Sequence, residues 1–344
     1  MAAIMAAIIP LFIPHEGCRH ACSFCNQRHT RQEAEPITAQ QVRDAIRAWL
    51  SRLRPERKKM VQVAFYGGSF TALPGKRQRE LLEAVQPFLQ DGRVHGIRLS
   101  TRPDCVDADT VEMLRDLGVH LIELGVQSCD DAVLAEAGRG HSHSDSLQAS
   151  RLIRAAGLQL GWQIMVGMPG AGFASIRRMA AACIAERPDC IRIYPLLVLR
   201  GSRLAEEWRR GVFQPLSLHK AVLYSAYLKK HFDAHGLAII RMGLQPGPEL
   251  EKTLLAGPYH PAFGELVRAR IMLNQTRRLL HQHRQAWPCA LRIAPADLSV
   301  FMGLKRSNLQ RLEALGLRSR FTLLADPGLP RQSLQLDLSA SPTS

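Results

Sequence analysis

Cys18, Cys22 and Cys25 sit in the run Gly17-Cys18-Arg19-His20-Ala21-Cys22-Ser23-Phe24-Cys25-Asn26, spaced C-x-x-x-C-x-x-C. Three thiolates from one short loop can hold one face of a cubic 4Fe–4S cluster and leave its fourth iron open. An open metal position binds and activates a ligand, as in other catalytic metal sites. A closed structural zinc site is the competing chemistry. It takes four ligands, and His15, His20 and His29 are close enough in sequence to supply the fourth. Cys105, Cys129, Cys183, Cys190 and Cys289 have no pairing spacing and read as structural.

The elements around this loop alternate between strand and helix. Residues 8–13 form an apolar run ending at Pro14, a buried strand with the cysteine loop at its C-terminal end. Thr38 and Gln41 make a capping-box pattern ahead of Val42, Ile46, Trp49, Leu50 and Leu53 at helical spacing. Residues 61–66 read as a second strand. Pro74 then opens a helix carrying Leu81, Leu82, Val85, Phe88 and Leu89. Further strands are expected at 96–100, 121–126, 158–166 and 191–194. The helices between them are expected to be capped by Asp107, to start at Ser144 or Asp145, and to span 175–185.

Six such units imply parallel strands with helical crossovers, an α/β fold. No G-x-G-x-x-G follows the first strand, so a partial (β/α)6 TIM-type barrel fits better than a dinucleotide-binding sheet. Chemistry in such barrels sits at the C-terminal strand ends. After Leu199 the rhythm changes, with helices at 202–210 and 218–235 and a strand at 237–242. The expected division is a core with its helical extension, 1–245, and a small, mostly helical, basic C-terminal region, 246–344. The latter holds a helix at 265–283, a helical pair at 297–315 and hairpin strands at 322–324 and 334–336.

More motifs close the strands. Tyr66-Gly67-Gly68-Ser69 ends the second, and paired glycines let backbone approach a ligand closely. Ser100-Thr101-Arg102-Pro103-Asp104, Glu123 to Ser128, Arg139-Gly140-His141, Gly167-Met168-Pro169 and Arg192 to Ser202 follow. With the cysteine spacing, this series resembles the radical S-adenosylmethionine (radical SAM) enzymes. Within them it resembles the catalytic subunit of Elongator, a tRNA-modifying protein, over residues 18–211 or so.

That resemblance implies that Cys18, Cys22 and Cys25 ligate a 4Fe–4S cluster whose open iron is chelated by the methionine end of S-adenosylmethionine (SAM). Phe24 would cover the cluster loop near the adenine. Gly67, Gly68 and Ser69 would meet the methionine end, and Gln127, Arg139 and Gln163 would contact SAM. A guanidinium at Arg139 suits a carboxylate as a rigid two-pronged donor. The implied reaction is reductive cleavage of SAM to a 5′-deoxyadenosyl radical, followed by hydrogen abstraction from tRNA or another RNA. A one-electron donor such as flavodoxin or ferredoxin would supply the reductant.

The sequence departs from relatives at Ser100, where many carry glutamate, and at Gln163, where Elongator carries histidine. Elongator's cysteine spacing is also longer. The chain after Gly247 is too short for a complete acetyltransferase of Elongator's kind. Oxygen-independent coproporphyrinogen III oxidase shares fewer of the motifs, which keeps tetrapyrrole chemistry as an alternative. A non-catalytic iron–sulfur RNA-binding protein is another.

Charge favours RNA. The 344 residues carry 45 Lys and Arg against 30 Asp and Glu, a net +15. The excess concentrates at 43–59, 76–79, 200–210, 268–284 and 305–320, as expected for a polyanionic partner. No apolar run reaches membrane-spanning length, and no basic segment precedes the apolar N-terminus as in a signal peptide. Eight cysteines without framework spacing argue against a secreted disulfide scaffold. The expected location is the reducing cytoplasm.

Overall fold

The computed structural model describes residues 7–13, 22–26, 36–54, 56, 59–283 and 289–338. Its strands are β1 (Ala7–Phe12), β2 (Val61–Tyr66), β3 (Ile97–Thr101), β4 (Val119–Gln127), β5 (Gln159–Val166), β6 (Cys190–Pro195), β7 (Val198–Leu199), β8 (Ile239–Met242), β9 (Leu254–Ala256), β10 (Cys289–Ile293), β11 (Phe321–Ala325) and β12 (Leu334–Asp337). Seven of them form one curled, wholly parallel half-barrel, in the order β1-β2-β3-β4-β5-β6-β8.

Alternation along these strands divides the sheet into two faces. Ile9, Leu11, Val63, Phe65, Ile97, Leu99, Ile122, Leu124, Trp162, Ile164, Ile191 and Ile193 are fully or almost fully buried in the main core with the crossover helices. The residues between them face the hollow of the half-barrel, and many are polar: Tyr66, Ser100, Gln127, Gln163, Arg192 and Tyr194 line its cavity. Trp162 shows how the outer face is satisfied. Its ring is fully buried, and its indole N–H donates to Ser150 Oγ at 3.1 Å on helix His143–Ala155. Burying such a side chain contributes about 2–3 kcal/mol, and the hydrogen bond removes the cost of an orphaned donor.

The helix signals hold with local corrections. Thr38 and Gln41 form the expected capping box for helix Ala39–Arg52, and Asp107 caps Ala108–Asp116. The helix opened by Pro74 breaks into Gly75–Glu83 and Gln86–Gln90, because Pro87 has no N–H to continue the ladder. Helix His143–Ala155 starts earlier than expected. Ser142 is its cap, and Asp145 is the third helical residue closing the box, with Ser142 N donating to Asp145 Oδ2 at 2.7 Å. A short helix, Asp131–Glu136, was not expected.

The half-barrel has seven strands where the sequence pattern predicts six. Strand β8 pairs in parallel with β6, aligning Arg192 with Arg241. Helix Leu218–Ala234 is therefore another crossover, and its Ala221, Leu228 and Phe232 are buried in the main core. The short β7 and helix Arg203–Arg209 interrupt the sequence rhythm and conceal this last unit.

The C-terminal part combines helices with a three-stranded sheet, in the order β11-β10-β12. The expected hairpin does not form. Strand β10 lies between the two candidates, parallel to β11 and antiparallel to β12. Helix Phe263–Gln282 joins the two cores: Phe263 and Val267 belong to the main one, Met272, Leu273 and Leu280 to the second. No helix among the described residues is long and apolar enough to cross a membrane.

Candidate functional site

Cys22 and Cys25 lie on a short turn beyond the C-terminal end of β1, with Cys25 N donating to Cys22 O at 3.0 Å. Two further bonds hold this turn in place. Ser23 N donates to Ala137 O at 2.9 Å, and Leu204 N donates to Ser23 O at 2.8 Å. The unexpected helix Asp131–Glu136 and helix Arg203–Arg209 thus anchor the turn from two sides. Phe24 packs with Met165, and Met168 packs with Val133 and Ala137 in the same region. Cys18, His15, His20 and His29 lie outside the described residues.

Both cysteines open onto a cavity of about 760 Å³ in the hollow of the half-barrel. The wall of that cavity also includes Phe24, Gly67, Gly68, Ser69, Gln127, Arg139 and Gln163. Every sequence-predicted site residue that the structure describes is therefore in one place.

Their states differ. Gly67 has φ of 91°, a region that favours glycine, and a Cβ there would stand 3.3 Å from Phe12 Cδ1. The Ser69 hydroxyl is held inside the protein, 3.0 Å from Thr101 Oγ1 and accepting from Arg102 N at 3.1 Å. Arg139 is only 6% exposed. Its Nη2 donates to Gly125 O at 2.6 Å and its Nη1 lies 3.1 Å from Cys22 Sγ, while its Nε is buried without a partner among the described residues. Gln127 adopts φ of 63°, and its buried Oε1 also has no partner among the described residues. Gly125 leaves these two groups their space, since a Cβ there would stand 3.0 Å from Gln127 Nε2 and 3.3 Å from Arg139 Nη2.

Positive charge collects beside the cysteines. Arg102 pairs with Asp104 at 2.9 Å, donates to the Arg139 carbonyl and places Nη1 3.9 Å from Cys22 Sγ. Burial, helped by Arg139 and Arg102, pushes the His141 imidazole down to about 4, so it is neutral near pH 7.

Deeper in the half-barrel is a network that motif reading missed. Glu123 is 1% exposed. It accepts from Arg98 Nη2 at 2.6 Å, Arg192 Nε at 2.5 Å and Gln163 Nε2 at 3.1 Å. Gln163 Nε2 also donates to Ser100 Oγ at 2.9 Å, and Arg192 Nη2 donates to Tyr66 OH at 2.8 Å. Burial opposes ionisation of Glu123, but Arg192 and Arg98 outweigh it and hold the carboxyl below its ordinary range. Burial and the same carboxylate push Tyr66 up to about 12. Gly161, aligned with Glu123 on the next strand, leaves room for it: a Cβ there would lie 2.9 Å from Glu123 Cγ. One sequence signal was available, a charged residue inside each of the apolar strands Ile97–Thr101, Val119–Gln127 and Cys190–Pro195.

Of the five cysteines read as structural, Cys129, Cys183, Cys190 and Cys289 are buried, and burial raises these four thiols, while Cys105 is half-buried.

This geometry fits an iron–sulfur cluster with an amino-acid ligand on its open corner. Two cysteines share one pinned turn, guanidinium donors face the sulfur that anionic cluster atoms would neighbour, and glycine walls flank orphaned Gln127 and Arg139 atoms able to bond a ligand. Residues 12–183 match the Radical SAM superfamily and residues 188–273 match the Radical_SAM C-terminal domain. The chain belongs to the radical SAM superfamily, is an enzyme of that class, and uses its 4Fe–4S cluster and SAM.

Within the superfamily, its core is homologous to that of the Elongator type. It is 32% identical to the tRNA uridine(34) acetyltransferase of Methanocaldococcus infernus over 159 residues, 45% of this chain and 30% of that protein. It is also 32% identical to Elongator complex protein 3 of Schizosaccharomyces pombe over 155 residues, 44% of this chain and 28% of that protein. The solved archaeal Methanocaldococcus infernus Elp3 with an N-terminal deletion has the same fold, with a TM-score of 0.59 at 21% identity over 80% of this chain and 63% of that chain. The matches span less than a third of the length of these two sequence relatives.

Proposed function

We infer that this radical SAM enzyme acts on tRNA. The supporting observation is the homology of its core to a tRNA uridine(34) acetyltransferase, and the net +15 charge agrees with it. Bound in the half-barrel, the cluster and SAM supply a 5′-deoxyadenosyl radical. Cys18, Cys22 and Cys25 hold the cluster, and Arg139 and Gln127 offer donors and acceptors to the polar end of SAM. Gly67 and Gly68 let it approach backbone, and Phe24 covers the turn. A small one-electron carrier, a flavodoxin or ferredoxin, supplies the reductant.

Phosphate contacts release counterions, so tRNA affinity should fall steeply with salt. About four to six contacts give a log–log slope on the order of −3 to −5. Folded tRNA should be preferred over duplex DNA of equal length, because shape and unstacked bases add to charge. Filter binding of tRNA, duplex DNA and heparin over a salt range measures this. Equal affinity for all three, or none at moderate salt, would move the reading to a small-molecule substrate such as a tetrapyrrole.

The SAM pocket has its own test. Gly68→Val adds a branched side chain to the cavity wall and should weaken SAM binding about tenfold or more, at unchanged iron content. Anaerobic equilibrium dialysis against SAM reads the effect. Unchanged affinity in the folded variant would reduce the glycine pair to a turn.

A further inference from the structure

Helix Phe263–Gln282, which joins the two cores, carries a groove on its exposed side. Two adjoining cavities of about 590 and 230 Å³ share Asn274 and Arg278. The larger runs toward Leu315–Arg320 and is walled by Arg277, Arg278, His281 and Arg320. The smaller runs toward helix Leu218–Ala234 and is walled by Tyr227 and Lys230. Neither wall contains an aspartate or glutamate among the described residues, and neither shares a residue with the half-barrel cavity.

Along the groove, like charges accumulate. Burial, followed by Arg277 and Arg311, lowers the pKa of the neighbouring Arg270. Such a concave strip of one sign focuses potential and favours a polyanion. Guanidinium forks match phosphate oxygens in two-pronged fashion, and Arg supplies three of the five basic side chains on the walls. At one end, the Tyr227 ring packs on His231 with centroids 4.0 Å apart, giving a rigid aromatic wall where a base or ribose can pack.

We propose that this groove binds the phosphodiester backbone of the RNA substrate, separately from the cavity where the chemistry occurs; the proposal rests on the tRNA reading above. Its position on the helix shared by both cores would hold the RNA at a fixed place relative to the half-barrel. An acidic protein partner is the rival occupant.

The test uses the full chain with its cluster reconstituted. Arg277→Glu/Arg278→Glu should weaken tRNA binding about tenfold or more, and Arg277→Gln/Arg278→Gln should make the salt slope shallower by about 1.5–2. Both positions are exposed, and wild-type iron content and melting temperature certify folding. Polyglutamate should displace tRNA far less well than unlabelled tRNA. Wild-type binding retained by both folded variants would overturn the groove while leaving the tRNA reading intact. Equal displacement by polyglutamate would overturn its assignment to RNA. A wild-type protein that binds no tRNA would overturn both.

Discussion

Cys22→Ala and Cys25→Ala proteins, reconstituted anaerobically with iron and sulfide, should lose the 4Fe–4S absorption and form no detectable 5′-deoxyadenosine from SAM. Cys18→Ala should do the same. A cube held by three thiolates has no spare protein ligand, so losing one leaves a second iron without a cysteine. The fold should survive, because Cys25 is only partly buried and the turn is anchored through Ser23 backbone groups, not through sulfur. Cys105→Ala is the control, since this residue ends the short 3₁₀ turn Pro103–Cys105 and is absent from the cavity wall. Iron content, visible absorption and product chromatography are the readouts. Wild-type protein that takes up one zinc and no iron would overturn the cluster assignment.

How much of this was legible in the sequence follows from the length scale of each signal. The cysteine turn and Gly67-Gly68 are local, because a few adjacent residues carry the whole message. Parallel topology was legible because each strand is followed by a periodic helix. The strand at 237–242 was read, but its place as the seventh of the half-barrel was hidden because β7 and helix Arg203–Arg209 sit between β6 and its crossover. Strand β10 was missed because a five-residue run, Cys289–Ile293, owes its place to partners some thirty to forty-five residues away. The roles of Arg98, Glu123 and Arg192 depend on register across four strands, which no single stretch encodes. Arg139 was legible as a candidate ligand donor, but its burial was not, because that depends on Gly125 and Cys22, both distant in sequence.

Glu123→Gln should be the most destabilising single change in the half-barrel. The substitution keeps the shape but removes the charge that Arg98 and Arg192 compensate, and leaves two guanidiniums facing each other in a buried site. Breaking a buried pair by removing one partner costs about 3–5 kcal/mol. The exposed Arg47–Asp44 pair should cost under about 1 kcal/mol when broken. The effect should depend on pH with a defined sign. Arg192 and Arg98 hold the Glu123 carboxyl below its ordinary range against the opposing effect of burial, so the folded state favours the ionised form. Its contribution is therefore complete above the unfolded carboxylate range and is lost as pH falls toward the folded value. The stability gap between wild type and variant should be constant above about pH 5 and narrow below about pH 4. Urea unfolding at several pH values measures it. If the variant is too unstable to study, Arg98→Met/Glu123→Gln should recover part of the loss, because it removes one of the two uncompensated cations. A gap that stays constant into the acid range would mean that the carboxylate gains nothing from its arginines, and that shape alone accounts for its place among the strands.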